Sequence, residues 1–488
     1  MNKNNGLKTF ALVAAVFLVL SWLRLDPGDK SQALTSAGPD ATSEDLAPED
    51  ELATAGGEGV ADGPGGAGGT SGGGQTAGQG QKAGTAGAAA GNLECKAGKN
   101  GGATDTGVTA SKIRLATTAV LDGPAKTLLE DSPVAMKAVV DKVNKSGGIC
   151  GRLLDLRVVN DSFRDNLGLA AIKSFIAEGY FAMPVVPSAE GLGAAILTGE
   201  ISKAKIPVVG SDGMRKEQYG EPYVWPVAAA TVTAMRVMTK YAATNRGAKS
   251  FALVWDGKYK FGLEGKEAFE AQVTAAGGTL VHTTRLDPDQ PSYNNETNVF
   301  NGKCDGGKCD MVALLLLPET AKKWLQANPV QAGKYTAGAQ TLFTDRFAQD
   351  CVLLKGGGCH GFAVWTGYNP PIGPLASLPG VSTYVNDVKA VKPGIDVNNQ
   401  FVEGAYLGMN VFVEALRKVG PNLTRERLRA ELDKLTFTSD LASPLTWKPG
   451  QHNANVRAQS FSMAVSSGVF RGWSNEGTGF LLDPAFGG

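Results

Sequence analysis

The segment from Ile113 to Asp161 constrains this chain more than any other. An apolar run, Ile113-Arg114-Leu115-Ala116-Thr117-Thr118, is followed by Leu121-Asp122-Gly123-Pro124. A helical pattern comes next, with Met136, Val139, Val140 and Val143 on one face and Pro133 suited to its first turn. It ends at Asn144-Lys145-Ser146-Gly147-Gly148-Ile149-Cys150-Gly151-Arg152, and a second strand, Leu154 to Val159, closes on Asn160-Asp161. Strand, helix, Gly-Gly turn and strand make a βαβ unit.

The alternation continues. A helix carrying Leu169, Ile172 and Ile176 leads to a strand at Met183 to Val186 and the loop Ser188-Ala189-Glu190-Gly191. A helix from Leu192 to Lys203, the strand Ile206 to Val209 and the loop Gly210-Ser211-Asp212-Gly213 follow. Strands that are continuous apolar runs between helices fit a parallel sheet covered on both faces. Past Tyr223-Val224-Trp225-Pro226 the pattern restarts. A helix from Thr231 to Asn245 leads to the strand Phe251 to Trp255, a loop from Asp256 to Phe261 and a helix from Gly262 to Ala276. Strands are expected at Thr279 to Val281, Met311 to Leu317 and Phe362 to Trp365. After a loop rich in Pro and Gly, the spacing of Phe401, Ala405, Gly408, Phe412, Ala415, Leu416 and Val419 predicts a long amphipathic helix. Another follows with Thr424 as N-cap, and the tail reads as β-rich. The expected fold is α/β, with two successive lobes of similar layout.

The first ninety residues read differently. Lys3 and Lys8 precede a nearly unbroken apolar run from Phe10 to Leu23, which has the form of an export signal or membrane anchor over residues 1–25. Residues 26–93 are dominated by Gly, Ala, Thr, Ser and acidic residues. Such a segment buries too little to offset its ordering entropy and is expected to be a disordered tether spanning on the order of 45 Å. Roughly 390 residues remain, enough for two lobes with cores. Zero formal net charge and the absence of a long Lys or Arg run give nucleic-acid binding through a basic face no support.

Six cysteines agree with an exported, oxidised protein. They permit 15 pairings. Short loops favour Cys304 with Cys309 and Cys351 with Cys359, which leaves Cys95 for Cys150. Metal binding is the rival reading. It is the weaker one, because no Cys-x-x-Cys spacing occurs and His282, His360 and His452 are scattered. Gly356-Gly357-Gly358 lacks the Lys-Ser or Lys-Thr of a phosphate cradle.

In this order and spacing, several segments resemble the type I periplasmic binding proteins, in particular the extracellular receptors of branched-chain amino-acid ABC importers. They are Gly107-Val108-Thr109 leading into Ile113, Asp122-Gly123-Pro124, Asn144 to Asp161, Ile206 to Val209, Lys260-Phe261-Gly262, Glu403-Gly404-Ala405-Tyr406 and Pro444 to Trp447. The likeness covers residues 107 to about 475. It implies two lobes joined by three crossovers, residues 107–226 plus 367–440 and 227–366 plus 441–485, with a small molecule held between them. It also implies an ABC permease or signalling partner, an extracytoplasmic location and no cofactor. Ser188 and the stretch from Ser211 and Asp212 to Met214 match positions that hold an amino-acid carboxylate. Phe261 matches an aromatic that packs on ligand, with Tyr259 beside it, and Asp122 follows the first strand.

The positions that receive an ammonium in the family fall near Leu316 and at Gln340, which carry no charge, while Asp212 repels an anion. A neutral or cationic solute with an apolar body is therefore expected at least as much as a branched-chain amino acid. Each candidate has a plain structural role to set against this: a turn for Asp122 and Ser188, an N-cap for Asp212, packing for Tyr259 and Phe261. Catalysis is not expected, since there is no Gly-x-Ser-x-Gly elbow between a strand and a helix and no His-Glu-x-x-His. A secreted α/β hydrolase or transferase is the alternative, as is a tethered sensor without transport.

Overall fold

Two sheets organise the chain, described here by a computed structural model over residues 93–486, apart from 229–230, 305–307, 329–333, 355–358 and 454–455. The expected βαβ unit is present. Strands β1 (Lys112–Ala119) and β2 (Leu153–Asn160) pair in parallel, with Lys112 opposite Leu153 and Ala119 opposite Asn160. The helix Ser132–Lys145 between them buries Ala135, Met136, Val139 and Val143. A bridge from Leu115 to Ala182 carries β1 on to β3 (Met183–Pro184), which pairs in parallel with β4 (Val208–Ser211), and β4 with β5 (Val224–Pro226). The first sheet thus reads β2-β1-β3-β4-β5.

The second sheet has a parallel core of β6 (Ser250–Asp256), β7 (Thr279–Leu286), β8 (Met311–Leu315), β9 (Tyr335–Gly338) and β10 (Ala363–Thr366). After β10 the chain returns to the first sheet as helices, ending in a hairpin of β11 (Thr436–Ser439) and β12 (Ala442–Thr446). It then rejoins the second sheet as antiparallel β13 (Arg457–Ser466) and β14 (Val469–Asn475), with β15 (Leu481–Leu482) on β13. The order is β14-β13-β10-β9-β8-β6-β7, and the chain crosses between sheets three times.

The twenty-residue helix Gln400–Val419 lies against the helix Ser132–Lys145 and against β4. Its approach to β4 is set by glycine on both sides. Gly210 has φ +88°, and a Cβ there would sit 2.5 Å from the Cα of Gly408. Gly210→Ala is therefore expected to destabilise the protein by about 2–3 kcal/mol, from left-handed strain plus overpacking. Urea unfolding that matches the parent would refute the close-packing argument.

Several elements differ from the sequence reading. The helix expected from Leu192 to Lys203 is two, Ala189–Leu197 and Glu200–Ala204, because Gly199 turns between them with φ +73°. The Pro- and Gly-rich stretch before Gln400 contains a further helix, Pro379–Val391. The helix expected from Gly262 starts at Lys260, so Phe261 lies in its first turn. Thr424 does cap its helix, accepting the Arg427 N–H at 3.2 Å.

All three disulfides have the expected pairing, Cys95–Cys150, Cys304–Cys309 and Cys351–Cys359. The signal or anchor at 1–25 and the linker to residue 92 lie outside the described residues. Among those described, no helix is long and apolar enough to cross a membrane.

Candidate functional site

Parallel strands present their carboxyl ends on one side of a sheet, and in open α/β sheets ligands bind beyond those ends. Here the loops beyond the two sheets meet. From the first come Val120, Leu128, Leu129, Phe163, Ala189 and Met214. From the second come Tyr259, Phe261, Leu317 and Ala339, and all of them join one buried apolar cluster. The ring of Phe163 meets Tyr259 edge-on at 5.1 Å, and Tyr259 stacks on Phe261 at 6.0 Å.

A polar seam runs beside this cluster. Glu217 takes Arg215 at 2.6 Å from its own side and Lys260 at 2.5 Å from across the cleft. Burial works against the Glu217 carboxylate, but the hydrogen bonds from Arg215 and Lys260 outweigh it and hold its pKa at about 2. The backbone N–H of Lys216 donates to Glu264 at 2.8 Å, a second link across the seam. Arg215 also pairs with Glu190 at 3.2 Å.

Two cavities flank the cluster. One of about 610 Å³ opens at the mouth, lined by Phe163, Arg164, Asp165, Glu190, Lys258 and Tyr259 among others. The other lies deeper, beside the crossovers, and offers about 20 Å³, room for one water. Ser211, Asp212, Tyr368, Gln400 and Gly404 line it.

The structure distributes the expected residues unevenly. Ser211 and Asp212 share the inner cavity. Tyr259 reaches the mouth and Phe261 the apolar cluster. Ser188 is fully buried, its hydroxyl against the buried Asp161 carboxyl. Gln340 donates to Thr231 at 3.1 Å and keeps an unpartnered carbonyl oxygen. Asp122 stands apart. It is exposed and takes the amide of Asn160 at 2.9 Å, bonding of the kind a turn residue makes.

Burial pushes Asp212 up to about 7, against the lowering effect of hydrogen bonds from Gln218 and the Met214 N–H. Asp256, at the end of β6, is likewise pushed up to about 7 by burial. Sequence reasoning missed Phe163, Glu190, Arg215, Glu217, Lys260 and Glu264 as parts of the site. Glu190 had a local signal, lying two residues past Ser188 in the same strand-end loop. The others become neighbours only once the two sheets face each other. The described histidines sit elsewhere: His452 stacks on Trp225, and His360 accepts the N–H of Val465.

Solved structures share this arrangement. A fatty acid ABC transporter substrate-binding protein from Thermomonospora curvata aligns with a TM-score of 0.64 at 16% identity, covering 78% of this chain and 93% of that one. The branched-chain amino acid transporter substrate-binding protein LivJ of Streptococcus pneumoniae, in complex with isoleucine, gives 0.63 at 14%, covering 75% and 99%. A leucine-binding protein LivK from Thermotoga maritima gives 0.60 at 16%, covering 75% and 99%. At such identities the likeness establishes the fold, that of the type I binding proteins. No curated protein sequence matches. The family profile described as periplasmic binding protein matches residues 112–467, well over half of the sequence, and the chain belongs to that family.

Proposed function

We propose that this protein is an extracytoplasmic solute receptor that captures a small molecule between its two lobes and delivers it to an ABC-type importer. The expected division at 440/441 falls inside the β11–β12 hairpin, so the lobes are residues 107–226 plus 367 to about 447, and 227–366 plus about 456–485, and the three crossovers are the hinge. Residues 1–25 tether it to the membrane, with 26–93 as spacer. The seam of Phe163, Tyr259, Phe261 and Met214, ringed by buried polar atoms without partners, is the observation that supports this reading most. Unpartnered buried polar groups are costly, and they fit a site that a ligand completes. Closure then follows from ligand contacts made to both lobes at once, with no catalytic step required.

Thermal melting of the oxidised full-length chain tests this, using amino acids, amides, polyamines, aromatics and short-chain acids. A ligand at about a hundred times its Kd adds roughly 2.7 kcal/mol, so the midpoint is expected to rise by a few degrees with one chemical class. No shift from any class, together with turnover of one of them, would replace the receptor with the hydrolase alternative.

A further inference from the structure

The loop after β4, where a carboxylate-binding member of this fold would present donors, has turned them inward. Ser211 Oγ and the Gly213 N–H both donate to Gln218 Oε1, at 2.7 and 3.1 Å, and the Met214 N–H donates to Asp212 Oδ1 at 3.2 Å. An anionic head arriving there meets the Asp212 carboxyl instead of donors. Acceptors, by contrast, are left over. Glu190 Oε1, Asp212 Oδ2, Asp256 Oδ2 and Glu264 Oε1 are buried without a hydrogen-bond partner. One group outside this acidic set is in the same condition, Gln340 Oε1, in a residue 3% exposed, while the Ser188 hydroxyl lies against the buried Asp161 carboxyl. With the acids ionised, every one of these atoms only accepts.

The charges at the seam do not close either. Glu190, Asp212, Glu217 and Glu264 face Arg215 and Lys260, and Lys216 is exposed. Glu217 already takes both Arg215 and Lys260, so Asp212 and Glu264 have no ion-pair partner among the described residues. A buried acid in that state gains from a cation or a proton. The apolar wall of Phe163, Met214, Tyr259 and Phe261 suits a hydrocarbon or aromatic body and adds a face for a cation.

We propose that the cleft takes a protonated amine with an apolar body, its ammonium donating to Asp212 and Glu190 and its body lying on Phe163, Met214, Tyr259 and Phe261. This rests on the receptor reading above and names its substrate class.

Matched probes test it on the full-length oxidised protein: phenethylamine and hexylamine, their carboxylate counterparts 3-phenylpropionate and hexanoate, and the zwitterions phenylalanine and leucine. Calorimetry and melting are expected to detect the amines and to show at least tenfold weaker binding of both other sets. Asp212→Asn and Glu190→Gln, each checked for cooperative melting, are each expected to weaken the amines at least tenfold. Equal or tighter binding of the carboxylates or zwitterions overturns the class and leaves the receptor standing. So do two folded variants with parental affinity, or a hit confined to neutral amides in the broader panel. Silence from all six probes and from the broader panel overturns both readings.

Discussion

Replacing Arg152 with methionine is expected to cost about 3–5 kcal/mol of stability, although Arg152 touches no part of the cleft. Its side chain is fully buried and has no carboxylate partner among the described residues. Instead it donates to four backbone carbonyls: Thr109 at 2.8 Å, Asn100 at 2.5 Å, Gly102 at 3.0 Å and Pro421 at 3.0 Å. Those carbonyls belong to the segment entering β1, the turns and bends that follow Cys95, and the turn after the helix Gln400–Val419. One planar fork thus ties three stretches that no sheet ladder joins. Methionine keeps much of the volume and strands the acceptors in a place water cannot reach, and each stranded group costs about 1–3 kcal/mol. Arg152→Lys should fall between, since an ammonium can reach only some of the four. Urea unfolding with disulfides intact is the measurement. A loss under about 1 kcal/mol would mean that water replaces the guanidinium, and the fork would then be incidental.

Arg152 also shows what could be read from the sequence. The Gly-Gly turn that precedes it was legible, because glycine beside glycine after an amphipathic helix has few other uses. The helix Gln400–Val419 was legible because its apolar positions repeat at helical spacing over five turns. The helix Pro379–Val391 carries the same signal in miniature, with Val381, Tyr384 and Val388 buried, but Pro379-Gly380 at its start reads as loop. Strand-end loops are legible as candidate positions since their place follows from the fold class. Which side chains from one sheet meet which from the other did not follow. Lys260 on Glu217 and Tyr259 on Phe163 are separated by 43 and 96 residues and depend on the closure of a cleft. Asp122 is the reverse case, a strand-end residue whose carboxyl takes the amide of Asn160.

Raising the pH from 5 to 8 is expected to lower the stability of the unliganded protein by about 5–7 kcal/mol, the reverse of what an ordinary salt-bridged carboxylate gives. Asp212 and Asp256 each rise from 3.8 to about 7 on folding, in both cases chiefly because burial disfavours the charge. Between those values the folded state holds protons that the unfolded chain has released. Stability is therefore greatest below the unfolded value and is lost as the pH climbs through about 7. Around Asp212 stand Glu190, Arg215, Tyr219 and Tyr368; around Asp256 stand Lys258, Tyr259, Asp287 and Tyr293. Glu190, Glu264 and Glu403 are also raised by burial and act in the same direction. Asp396, raised to about 6, adds to the loss. His282 opposes it, since burial lowers its pKa and its contribution grows as the pH rises through 6.5. Glu217, held at about 2, contributes a loss only on strong acidification and leaves this window alone. Urea unfolding at pH 5, 6.5 and 8 reads the slope, and Asp212→Asn and Asp256→Asn should each flatten it by removing one proton uptake. A bound amine should flatten it too, because an ammonium favours the ionised carboxylate and affinity for it then rises with pH through about 7. Stability that increases from pH 5 to 8 would show that solvent already reaches these carboxylates, and the seam between the lobes would have to be open in the unliganded protein.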